Sequence, residues 1–118
     1  MQPPEAIRRA RRSTAPLRID AAEDDGSYVV AIHGEVDVAT VEQVGAALDR
    51  AIASDAPEIV VDLGFCTFID SRGIATLLGA NRRLERCAGR ALVILPGPPA
   101  VRRVFEICGL LELLPFAE

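Results

Sequence analysis

The order of apolar patterns predicts an α/β domain in which strands alternate with helices and at least some strands run parallel. Three observations carry this. Short β-branched or alternating runs stand at "SYVVAIHGE", "EIVVDLG" and "RALVILP". Segments with apolar residues at helical spacing separate them, and Gly, Pro and Asp clusters punctuate the joins. Strand, strand, helix, strand, helix, strand, helix is the order of a layered sheet with right-handed crossovers.

Each element has a local reason. "PLRID" reads as a short first strand and "EDDGS" as the turn after it. In "SYVVAIHGE", Tyr28, Val30 and Ile32 alternate onto one face, and Gly34 closes the strand. A helix over about 40–54 places Val41, Val44, Leu48, Ala51 and Ile52 together, with Thr40 and Gln43 fitting a capping box and Pro57 just beyond its end. "EIVVDLG" is nearly continuous in apolar residues, which predicts a strand covered on both faces. The next helix, about 72–88, buries Ile74, Leu77, Leu78, Leu84 and Cys87, and Gly89 stands where its C-terminal cap glycine belongs. "RALVILP" is another buried strand. Pro99 suits the first turn of a third helix, whose apolar face is Val101, Val104, Phe105 and Cys108 and which Gly109 ends. "LLELLPF" closes the chain as an apolar edge strand or a docked tail.

With 118 residues, half of them apolar and a quarter charged, the chain is one globular domain with a core of Val, Ile, Leu and Ala. Charge divides it: residues 1–18 carry five Arg and one Glu, whereas the remainder carries eight Arg and sixteen acids. We therefore expect a basic N-terminal tail over 1–16 and a folded domain over 17–118. "RRARRS" in that tail reads as a solvated segment or an anion-binding arm. An acidic body argues against direct nucleic-acid binding, because neutralising phosphates requires a basic face. No apolar run is long enough for a membrane span, and no apolar region follows the basic stretch as in a signal peptide. A cytoplasmic protein is expected. Cys66, Cys87 and Cys108 have no metal-ligand spacing and read as small buried hydrophobes in a reducing compartment.

Functional groups of such a sheet gather outside the carboxyl ends of its parallel strands. Two acidic turns occupy that kind of position: "GEVD", Gly34 to Asp37, and "IDSRG", Ile69 to Gly73. If their strands are neighbours, Asp37, Asp70 and Ser71 share one rim. Serine hydrolysis fits poorly, because Ser71 lacks the glycine two residues before it and His33, the sole histidine, lies within a strand. No Lys is present to complete a phosphate-binding loop. A binding module fits better than an enzyme, with no cofactor. Asp and Ser are also preferred helix caps, so capping alone accounts for either residue taken singly.

From "AIHGEVDVAT" through "VVDLGFCTFIDSRGIATLL" to "ALVILPGPPAVRRVFEICGL", the chain resembles the STAS-domain anti-sigma factor antagonists of the SpoIIAA and RsbV type. The resemblance implies the STAS fold, a single small mixed β-sheet with helices packed against it. It further implies a partner switch: the unmodified protein binds an anti-sigma factor that is also an ATP-dependent serine kinase, and a PP2C-like phosphatase reverses the modification. Carried over by position, Ser71 is the phosphate acceptor, and Asp37, Asp70, Ser71, Arg72 and Gly73 form the partner-binding set. Arg72 departs from the pattern, since the residue after the acceptor is usually small. The other readings are a STAS interaction module without a serine switch, scaffolding or transporter-associated, and a nucleotide-sensing domain.

Overall fold

The structure is a computed structural model and describes residues 17–117, so the expected basic tail over 1–16 lies outside the described residues. The chain runs β1 (Arg18–Asp24), β2 (Ser27–Val36), α1 (Val41–Ala53), β3 (Glu58–Ile69), α2 (Ser71–Glu85), β4 (Ala91–Leu95) and α3 (Pro99–Ile107). One four-stranded sheet holds the strands in the order β1-β2-β3-β4. β1 is antiparallel to β2, while β2, β3 and β4 are mutually parallel. The sheet is therefore mixed.

The β1–β2 hairpin turns through Asp25 and Gly26, both at positive φ (49° and 86°). Asp-Gly is the pair that accepts this two-residue turn, whose twist matches that of the flanking strands. β1 consequently runs as far as Asp24, into the segment expected to be turn. β2 also continues past Gly34, which at φ 111° sits where the pairing with β3 shifts register. A glycine there bends the strand without ending it.

β3 departs most from expectation. It extends twelve residues, to Ile69, well past "EIVVDLG". Its first half alternates buried Ile59, Val61 and Leu63 with half-exposed Val60 and Asp62, so one face is covered and not both. After exposed Gly64 and Phe65 the phase changes, and Cys66 and Ile69 are buried. β4 pairs only with Glu58 to Asp62 of β3, whereas β2 pairs along its whole length to Ile69. β2 and β3 thus project together beyond β4.

The core lies on the sheet face of Val30, Ile32, Ile59, Val61, Leu92 and Ile94. α1 contributes Val44, Ala47, Leu48 and Ala51 to it, and α2 contributes Ile74, Leu77, Ala80 and Leu84. Leu78 is half-buried at its margin. α2 ends at Glu85, three residues before the expected end, and Gly89 (φ 79°) belongs to the turn that follows. Pro99 opens α3, whose Phe105 is fully buried and meets the edge of Phe116 at 5.0 Å between centroids. Phe116 bridges to Ile94 beside β4, so the closing segment is a docked edge. Of the cysteines, only Cys66 is buried. Cys87 is intermediate and Cys108, at the end of α3, is exposed, contrary to the expectation for three small hydrophobes.

Candidate functional site

The two acidic turns meet where β2 and β3 project. The amide of Asp70 donates to the carbonyl of Val36 at 3.2 Å, which ties the residue before Ser71 to the residue before Asp37. Gly73 allows this approach. A Cβ there would stand 2.7 Å from Ile69 Cγ1 and 2.7 Å from Val36 Cγ1, so only hydrogen lets the first turn of α2 rest on the two strand ends.

Asp70 is the N-cap of α2. Its Oδ1 accepts from the amides of Arg72 (3.0 Å) and Gly73 (3.4 Å). Capping satisfies donors that a helix start otherwise leaves unmade. With that role filled by Asp70, Ser71 at the first helical position is exposed, and its hydroxyl has no hydrogen-bond partner among the described residues. Arg72 beside it is likewise exposed, with no ion pair among the described residues.

The "GEVD" turn is organised by Thr40. Its hydroxyl donates to the carbonyl of Glu35 (2.7 Å) and accepts from the amide of Asp37 (3.0 Å). The expected capping box of Thr40 and Gln43 does not form, because the Thr40 side chain makes no cap hydrogen bond to α1. Asp37 Oδ1 accepts from the amide of Ala39 at 2.9 Å, and the Asp37 carbonyl accepts from the amides of Thr40 and Val41. Held this way, the turn presents Val38 to solvent at 52% exposure. Sequence reasoning passed over Val38. Its signal was an apolar residue inside an acidic turn.

His33 is not part of this rim. Its ring stacks on Phe65 at 4.8 Å, and Nε2 lies 3.2 Å from Asp20 Oδ2. It stands three residues before the end of β2, roughly 10 Å back along the strand. Ser71 thus has no histidine base beside it, as the reading against a hydrolase required. Among the described residues no group of three His, Cys, Asp or Glu side chains is gathered for a metal, and no helix is long and apolar enough to cross a membrane.

The chain matches the family described as "Mlab, STAS domain" over residues 19–115. It belongs to the STAS domain family. An anti-sigma F factor antagonist of Lysinibacillus sphaericus is 37% identical over 85 residues, covering 71% of this chain and 72% of the relative. The structure of SpoIIAA, an anti-sigma factor antagonist, in its unphosphorylated form superposes with a TM-score of 0.67 at 32% identity, covering 87% of this chain and 89% of that one. SpoIIAA of Bacillus in the phosphorylated form gives a TM-score of 0.62 at 31% identity, covering 87% and 92%. The single mixed sheet and three helices of the described residues are those of a STAS domain, and STAS antagonists of this kind are binding proteins, not enzymes.

Proposed function

We propose that this STAS domain is an anti-sigma factor antagonist whose projecting rim binds an anti-sigma factor and whose affinity is set by phosphorylation of Ser71. The observation that carries the reading is the division of labour at the start of α2: Asp70 caps the helix, and the Ser71 hydroxyl is left exposed and unengaged. A relative of 31% identity that exists in a phosphorylated form supports it. Asp37, Asp70, Arg72 and Gly73 would frame the contact, with Val38 as an apolar anchor.

In the modification, the Ser71 oxygen bonds to the γ-phosphorus of ATP, the bond from that phosphorus to the bridging oxygen breaks, and ADP leaves. The hydroxyl proton passes to a base of the kinase, here an anti-sigma factor with kinase activity. A PP2C-like phosphatase would hydrolyse the product. The phosphate adds about −1.5 to −2 charge beside Asp37 and Asp70. The helix dipole tolerates it, but the two amides that could have held it are already bonded to Asp70. The new charge therefore falls on the partner surface and not on the fold.

Exposed Arg72 favours a second reading, a STAS interaction module without a serine switch, because a long cation beside the acceptor obstructs a kinase that expects a small side chain. Incubation with the cognate anti-sigma factor and ATP, followed by mapping of the modified residue, separates the two. Phosphate on Ser71 supports the switch. Tight binding with no phosphate incorporated supports the constitutive module.

A further inference from the structure

We propose that the C-terminal end of α3 and the turn after it form a two-fold interface through which two copies of this chain associate, with Arg103 of each copy seated in a groove of the other. The surface lies apart from the Ser71 rim and is independent of any role of that serine.

The groove is built into the backbone. α3 ends in a Schellman motif: the amide of Gly109, at φ 71°, donates to the Glu106 carbonyl at 3.0 Å, and the amide of Leu110 donates to the Phe105 carbonyl at 2.9 Å. The amide of Leu114 then donates to the Leu110 carbonyl at 3.1 Å. Buried Phe105 and Leu114 anchor the chain on either side of this bend. Along it, Glu106, Gly109, Leu111 and Glu112 line an open groove of about 260 Å³. Leu111 is half-buried while Glu106 and Glu112 are exposed, so the groove offers an aliphatic wall between two carboxylates.

A lone exposed aliphatic residue is ordinary on a protein surface. The setting here is not ordinary. Ile107 is 75% exposed on the last turn of α3, and Leu113 is 67% exposed in the bend. Arg103 stands one turn before Ile107 on the same side of the helix, away from buried Phe105. Arg103, Glu106 and Glu112 make no ion pair among the described residues, although Arg103 and Glu106 have the three-residue spacing of a helical pair. Unpaired charges of both signs beside an exposed isoleucine make a surface complementary to itself.

The groove calls for a cation on an aliphatic stem with an aliphatic neighbour, and α3 carries that pair. A two-fold axis beside Ile107 reverses the order of the groups along the helix. Arg103 precedes Ile107 by four residues, about 6 Å, and the groove lies just beyond it. Ile107 then meets Ile107 of the other copy. Each Arg103 lies over the other copy's groove, its guanidinium against Glu106 and Glu112 and its stem along Leu111. The same contact made twice closes the assembly at two chains. α3 follows the carboxyl end of β4, and Phe116 re-enters parallel to β4 beside Ile94, so the helix runs back along the sheet and its last turn points away from the rim. Both Ser71 hydroxyls therefore stay open in such a dimer. One helix end and a turn are small against the roughly 800 Å² that each partner gives a stable complex, so the dimer is expected to be weak and concentration-dependent.

Sedimentation equilibrium of the full chain in low salt, from about 5 to 500 μM, tests this. The mass is expected to rise toward twice the 12.6 kDa of one chain, and the association to weaken at about 1 M salt, where charges are screened within roughly 3 Å. Arg103→Glu and Ile107→Asp should each weaken the dimer about tenfold or more, with unchanged circular dichroism and melts because both side chains are exposed. Arg103→Glu combined with Glu106→Arg and Glu112→Arg reverses every charge of the contact and should restore the parent's affinity. A monomer throughout the range would overturn the inference. So would a dimer that either single variant leaves intact, or a charge-reversed variant no tighter than Arg103→Glu alone.

Discussion

Ser71 owes its freedom to Asp70, whose carboxylate already accepts from the amides of Arg72 and Gly73. Because the Ser71 hydroxyl holds nothing together, Ser71→Ala is expected to stay within about 0.5 kcal/mol of the parent in a urea melt and to retain its affinity for the anti-sigma factor. Ser71→Asp gains roughly 0.3–1 kcal/mol from the helix dipole and loses a similar amount to its carboxylate neighbours, so it too should fold. Its affinity should fall about tenfold or more, as a charge is pressed into the contact. Calorimetric titration of both variants tests this, and equal affinities would remove the switch. The thiols are also distinguished residue by residue. Burial pushes the Cys66 thiol up, against a smaller opposing effect from the Phe68 backbone. Since the thiolate is the reactive form, an aromatic disulfide reagent at pH 8 should label exposed Cys108 within minutes and reach Cys66 only when the core opens. Peptide mapping against time would establish the order.

At the scale of elements, α2 is both a core helix and the frame of the rim. Gly73→Ala would gain roughly 1 kcal/mol of helix propensity. It would also drive a methyl group to 2.7 Å from carbons of Ile69 and Val36, both buried. Overpacking of that kind costs about 1–3 kcal/mol. The net expectation is a loss of stability near 1 kcal/mol, together with displacement of the first turn that carries Ser71, measured by thermal melt and by amide shifts of residues 70–74. One turn further on, Leu77 is 1% exposed and Leu78 sits at the core margin. Leu77→Asp should cost on the order of 3 kcal/mol or more, because an unpaired charge replaces core contacts. Leu78→Asp should cost clearly less, since its carboxylate can reach water. Equal melts for the two would mean that the helix is rotated from the orientation described here.

Over the whole molecule, the sheet decides which loops meet. Two parallel crossovers, β2-α1-β3 and β3-α2-β4, bring both acidic turns to the carboxyl ends of adjacent strands. The antiparallel β1 brings the chain's entry to the same end. Among the described residues, the buried apolar residues of the core lie between Val30 and Leu114, with Leu17 packed against them. The Arg- and Pro-containing composition of residues 1–16 offers little apolar surface to bury, so deletion of residues 2–16 is expected to leave the melting temperature within a few degrees of the parent, with hydrogen exchange unchanged across β2 and β3. Faster exchange in those strands would show that the segment supports the fold.

The sequence alone was enough for the order and type of the elements, because apolar period and Gly or Pro punctuation are local properties of the chain. It was also enough to single out Asp37, Asp70 and Ser71, since acids and a hydroxyl at predicted strand ends stand out from an apolar background. Lengths and partners were tertiary matters. β3 runs on to Ile69 because β2 supplies a pairing edge that far, which no property of "GFCTF" announces. Its half-covered state follows from helices packing on one face, so a continuous apolar run proved compatible with alternating burial. Asp and Ser are equally good caps in isolation. Only the placement of Asp70 against the first amides of α2 decided that the aspartate holds the helix and the serine faces solvent. Thr40, equally suited to a cap by type, was drawn instead to the Glu35 carbonyl and the Asp37 amide, because folding places those groups within its reach.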